Sequence, residues 1–230
     1  MWTRKDLKDR AKNVLRRNYW KALLISIVIA LAQGAAGGSN GRGDNGGGSN
    51  GQVFSDFVLE YLPLIITAGI TLFIFFIALR VLLGYPLEVG GRKYFIESAV
   101  EGNNQGCFKY AFQGDHYKGI VWAMLRRDIQ TFLWTLLLII PGIIKYYSYI
   151  FVPYIMADNP QLSGKEAIEI SKQMTDGHKF NIFVLDLSFL GWFILGAIAF
   201  GIGIFFVLPY YNATYAELYL QLSKRDEIYE

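Results

Sequence analysis

FNIFVLDLSFLGWFILGAIAFGIGIFFVLPYYNATYAELYLQL, residues 180–222, decides the fold class. Residues 187–216 carry no charge, and most are apolar. One unbroken helix over the whole stretch would be about 65 Å long at ~1.5 Å per residue. A bilayer core is only ~30 Å thick, and one crossing takes ~20 residues. The stretch therefore reads as two spans folded back on each other. Gly201-Ile202-Gly203 is the expected corner, because glycine adopts turn dihedrals without steric cost. The chain is read as a polytopic helical membrane protein.

Composition agrees. Of 230 residues, 53% are hydrophobic and 18% charged, where soluble domains carry about 25% charged residues. Seventeen Phe, fifteen Tyr and five Trp suit spans with interfacial aromatic belts. A single cysteine, Cys107, excludes an intrachain disulfide and a cysteine-based metal cluster. The net charge of +3 is uninformative, whereas its placement is not.

Residues 1–21 hold eight Lys/Arg against two Asp, and Leu7, Ala11, Val14 and Leu15 recur at helical spacing. A basic amphipathic helix over 1–18 is expected on an anionic cytoplasmic leaflet, with Lys8, Lys12, Arg16 and Arg17 as candidate lipid contacts. The plainer alternative is a solvated helix that only sets topology. Nucleic acid is not the expected partner, since the run abuts Tyr19-Trp20, an interfacial anchor pair. No small-residue cleavage pattern follows closely, so the first span, about 20–35, reads as a retained signal anchor.

Residues 36–52 form a Gly-rich loop, placed outside by the positive N-terminus. Gly41, Gly43 and Gly46 match a nucleotide fingerprint by spacing only, with no strand before and no helix opening after. Span 2 is expected at 59–84, and 85–125 on the cytoplasmic side as short interfacial helices. From Ile129 to Ala157 only Lys145 is charged, and Pro141-Gly142 precedes it. Spans at 126–140 and 143–157 turning at Pro141-Gly142 are expected; one tilted, kinked span is the alternative. Ser163 and Glu166 have capping-box spacing, and Gly177 suits a C-cap, which gives an amphipathic helix within 158–179 on the cytoplasmic side. The last spans are 180–199 and 203–222. This makes an all-α protein of about six transmembrane helices in three hairpins, with both termini in the cytoplasm. A weak repeat, IFVPY at 150–154 and FFVLPY at 205–210, would fit repeated hairpin units.

LWTLLLIIPGIIKYYSYIFVPYIMADNP, AIEISKQMTDGHKFNIF, LDLSFLGW, GIG and LPYYNATYAELY resemble the bacterial DUF975 integral membrane proteins, most specifically over Leu133–Tyr219. The N-terminal helix ending NYWKAL and the Gly-rich first loop are similar too. The resemblance implies a bacterial inner-membrane protein, with a distant similarity to YciC-type proteins and to the membrane domain of some glycerophosphodiester phosphodiesterases. It implies no activity.

Catalytic constellations are sparse. His116 and His178 have no HxxE or HExxH partners, and neither a GxSxG elbow nor a phosphate-binding GxxxxGK run occurs. No metal or cofactor is expected. The informative residues are polar ones inside spans, because a charge at a helix centre costs roughly 2.5–3.5 kcal/mol and needs a partner or water. Arg80, Asp186, Asn212 and Glu217 fall at similar depth, which suggests a polar cluster with Asp186–Arg80 as its leading pair. Each residue snorkelling or locking helices separately is the plain alternative. The expected function is a non-enzymatic scaffold, anchor or envelope-homeostasis factor working through membrane lipids or a membrane protein partner. A small transporter or channel with a cavity near Asp186 and Arg80 is the other reading.

Overall fold

A computed structural model of the chain describes residues 4–32, 51–100, 105–198 and 202–226, and all ten α-helices named below lie within them. Among these residues there is no strand. Helix α1 covers Arg4–Ala32 and α2 covers Gly51–Leu79. A π-helical segment, Arg80–Gly84, joins α2 to α3, Tyr85–Ala99. Then follow α4 (Cys107–Ala111), α5 (Gly114–Leu137), α6 (Ile139–Ser148) and α7 (Val152–Asp158). The chain closes with α8 (Gly164–Thr175), α9 (Lys179–Ile198) and α10 (Ile202–Asp226).

Among the described residues, three stretches are long and apolar enough to cross a membrane: Tyr61–Ala99, Ile139–Asp158 and Lys179–Ile198. Six had been expected. The difference lies in how the chain is broken. The N-terminal amphipathic segment and the first span are one continuous helix, α1, whose stripe Leu7, Ala11, Leu15, Ala22 and Ile29 is buried in protein. Residues 51–99 form one rod rather than a span and separate interfacial helices. Residues 36–50 of the expected Gly-rich loop and Gly201 lie outside the described residues, while residues 51–52 open α2.

The turn expected at Pro141-Gly142 falls instead at Leu138, which takes an extended conformation (φ −156°, ψ 138°) between α5 and α6. Pro141 stands in the first turn of α6, where the missing N–H has no partner to lose. Gly142 serves packing: a Cβ there would lie 2.7 Å from Thr135 Cα, so only glycine lets α6 fold back on α5. The last hairpin uses the same device. α9 ends at Ile198 and α10 opens at Ile202, while a Cβ on Gly196 would stand 2.7 Å from Ile204 N. Small residues permit such close approach in lipid, where apolar burial gives helices little reason to associate.

The pairings fix the directions of these elements. Arg80 and Glu88 meet Asp128 and Arg127, so one turn of α5 packs against the 80–88 part of the rod. Tyr147 shares Asp186 with Tyr211, and Tyr154 stacks on Tyr219, so α6–α7 and α10 run the same way. The Leu138 corner and the end of α9 therefore lie on one side, and with the α2 rod they make three apolar prongs. Exposed Phe132, Leu136, Ile139, Ile140, Trp192, Leu195 and Ile198 coat two of them, and α2 is exposed at its described positions from Tyr61 to Ala78. The apolar part of α2 is about 28 Å long, enough for the hydrocarbon core. The α5–α6 prong, residues 129–148, reaches only about 15 Å.

On the other side lies a packed body. α7 is almost wholly buried, and Tyr154, Tyr215, Tyr219, Phe95 and Phe151 are its largest enclosed side chains. Here the amphipathic helix read near 163–177 is found as α8. The Ser163 N–H donates to Glu166 Oε2 at 2.8 Å, and the Glu166 N–H donates to Ser163 Oγ at 3.3 Å. Gly177 closes it with φ +69°, the left-handed region that favours glycine.

Candidate functional site: an arginine and tyrosine cavity at the base of the prongs

Between prongs and body the helices place their charged groups. On α3, Tyr85, Glu88 and Arg92 are spaced by three and four residues and share one face. Arg80 precedes them on the π-helical segment. The facing turn of α5 carries Arg127, Asp128 and Thr131, while Tyr211 and Tyr215 face inward from α10. Tyr146, Tyr149 and Tyr154 come from α6, α7 and the bend between them. Together they line a cavity of about 340 Å³, within the ~300–1,000 Å³ typical of small-ligand sites.

Ion pairs and aromatic contacts set its electrostatics. Arg127 lies 2.7 Å from Asp128 Oδ1 and 3.4 Å from Glu88 Oε1. Arg80 Nη2 lies 3.5 Å from Asp128 Oδ2, to which the Tyr85 hydroxyl also donates at 2.8 Å. Arg92, 7% exposed, donates through Nη1 to Asn212 Oδ1 at 2.6 Å and to the Tyr154 hydroxyl at 3.1 Å. Its guanidinium also sits 5.0 Å from the centre of the Tyr154 ring. Asn212 Nδ2 donates in turn to Ser26 Oγ at 3.0 Å, tying α1 into the layer. Arg92 Nε is buried with no hydrogen-bond partner. The lining thus holds three guanidiniums, Arg80, Arg92 and Arg127, against two carboxylates, Glu88 and Asp128.

Asp186 stands just behind this wall. The hydroxyls of Tyr147 (2.8 Å), Tyr211 (3.1 Å) and Tyr215 donate to its carboxylate, and the latter two tyrosines also line the cavity. Arg80 and Asn212 therefore do gather in one layer with Asp186 close by. The expected Asp186–Arg80 ion pair is replaced by two neighbouring arrangements, Arg80 with Asp128 and Asp186 with phenols. Glu217 is buried further along α10, away from the lining set.

Of the basic residues singled out in α1, Lys8 Nζ donates to Ser188 Oγ at 2.9 Å and lies 4.5 Å from the centre of the Phe189 ring. Burial, then the charges of Arg4 and Lys12, lowers its pKa. Lys12 is exposed and pairs with Asp9 at 3.4 Å. The side chains of Arg16 and Arg17 lie outside the described residues. Glu88, Arg92, Arg127 and Asp128 are residues that sequence reasoning missed. The one legible signal was the three-and-four spacing from Tyr85 to Arg92, set in a segment read as cytoplasmic. Among the described residues no group of three or more His, Cys, Asp or Glu is placed to hold a metal ion.

Residues 123–226 match the family model described as Protein of unknown function (DUF975). This region is similar to that family, and the match covers less than half of the chain. No curated protein and no solved structure matches the chain. The matched region supplies the later part of α5 and all of α6–α10, and with them Arg127, Asp128 and every tyrosine of the cavity wall, while Arg80, Glu88 and Arg92 come from the rod before it.

Proposed function

We propose that the protein is a non-enzymatic, multi-pass protein of the bacterial cell membrane that holds a small polar ligand in the arginine and tyrosine cavity. It would act as an anchor, scaffold or envelope-homeostasis factor through that ligand and the surrounding lipids. The carrying observation is a cavity lined by charged groups at the base of apolar prongs. Such groups are costly near hydrocarbon unless they have partners or a task. Both termini are placed in the cytoplasm on the strength of the basic residues in 1–21 and of Lys224-Arg225. The test is ligand-dependent thermal stabilisation of the purified protein in neutral-lipid nanodiscs, with small anionic, zwitterionic and neutral solutes. A midpoint that moves with at least one solute, and moves less in Arg80→Gln, supports the reading. No shift with any solute class overturns it.

A second reading, a small transporter, is favoured by the Asp186 carboxylate held among three phenols beside the cavity. It predicts solute flux in proteoliposomes that Asp186→Asn reduces. Flux indifferent to that change removes it.

A further inference from the structure

We infer that the cavity's ligand carries a phosphate oxyanion, supplied either by a lipid headgroup or by a free phosphate compound. The inference rests on the cavity being a binding site and adds the chemical class of what fills it. Three observations point there. The first is the wall itself, three guanidiniums against two carboxylates, with the third carboxylate, Asp186, behind it and already taking three phenol donors. The second is the buried Arg92 Nε, a donor with no hydrogen-bond partner on a side chain that lines the cavity. Guanidinium forks match phosphate geometry with parallel N–H bonds, and arginine is favoured wherever that match matters. The third is the set of phenols from Tyr146, Tyr149 and Tyr154 in the wall, whose hydroxyls are donors suited to the remaining oxygens.

Position favours delivery from the membrane. The apolar prongs start from the layer that holds the cavity. A lipid whose tails lie along the exposed faces of α2 and α5–α6 would bring its phosphate to the level of Arg80 and Arg127. A soluble phosphate monoester would reach the same groups from water. The chemistry of recognition is shared, and the source is a matter for experiment.

The test uses the full-length protein in a detergent free of phosphate groups. One arm titrates inorganic phosphate and glycerol phosphate; the other titrates phosphatidylglycerol and phosphatidic acid in mixed micelles. Thermal stabilisation and native mass spectrometry are the readouts. Binding in the lipid arm alone assigns a headgroup, and binding in the soluble arm assigns a free phosphate compound; both support the inference. Arg80→Gln, at a half-exposed position, is expected to weaken phosphate affinity at least tenfold. Arg92→Lys keeps the charge, loses the fork, and is expected to weaken it also. Each variant is scored only with wild-type elution and unliganded melting behaviour, and Arg80→Gln stands alone if Arg92→Lys fails to fold. Phosphate binding that neither substitution changes overturns the inference, as does silence in both arms. If neutral or zwitterionic solutes without phosphate bind in an Arg80-dependent way while phosphate does not, the cavity is a binding site and the phosphate assignment is wrong.

Discussion

Replacing Gly196 by alanine is predicted to open the last hairpin. A methyl group there would sit 2.7 Å from Ile204 N and 2.8 Å from the Gly203 carbonyl carbon, both backbone atoms that cannot swing aside. Ordinary contact needs about 3.4 Å or more, so α9 and α10 must separate by roughly 0.7 Å near their corner. Overpacking of this kind costs about 1–3 kcal/mol. Gly191 on the same helix provides the control, since a Cβ there meets nothing within 4 Å. Equilibrium unfolding in bicelles, followed by tryptophan fluorescence, should show Gly196→Ala less stable by that amount and Gly191→Ala unchanged or slightly more stable. Equal effects of the two substitutions would refute the close-approach argument, and so would a Gly196→Ala protein as stable as wild type.

Gly142→Ala should cost a similar ~1–3 kcal/mol at the other corner, because its methyl would collide with Thr135; the same unfolding measurement checks it. Asp186→Leu strips the acceptor from three phenols and should destabilise by at least about 1.5–3 kcal/mol, the worth of one hydrogen bond to a charged group. Ser163→Ala should lower stability by about 0.5–2 kcal/mol through loss of the α8 cap. The bonds from Ser163 hold the Glu166 carboxyl below its ordinary pKa. Its contribution is thus present above the usual glutamate range and lost as pH falls through the depressed value, which a pH series of melting curves on wild type and Glu166→Gln would reveal. Burial pushes the Cys107 thiol upward, so maleimide should label it slowly in the folded protein and quickly after denaturation; fast labelling of folded protein would contradict its placement.

What the residues disclosed and what they concealed have physical reasons. The capping box at Ser163 and the fold-back after Ile198 were legible because both depend on a few neighbouring residues. Pro141-Gly142 misled because each residue has a second use: proline opens helices as well as ending them, and glycine admits a close neighbour as well as a turn. Pro86 likewise opens a helix rather than ending one. It follows the π-helical segment, in which the Tyr85 N–H reaches back to Arg80 O, and stands in the first turn of α3, so the rod continues past it. The cavity was half visible. Arg80 and Asn212 stood out as polar residues in apolar runs, and both belong to its layer. Glu88, Arg92, Arg127 and Asp128 looked like ordinary charges of a polar segment, because only the packing of α5 on α3 brings them together.

The Leu138 corner has a consequence for how the protein enters its membrane. From residue 129 to residue 144 the α5–α6 prong carries no charged side chain, and from 187 to 216 neither does the final pair. Nothing ionic has to be dragged through hydrocarbon to set either fold-back in place. Each fold-back is a ready-made apolar wedge that keeps its arginines, carboxylates and phenols at its base.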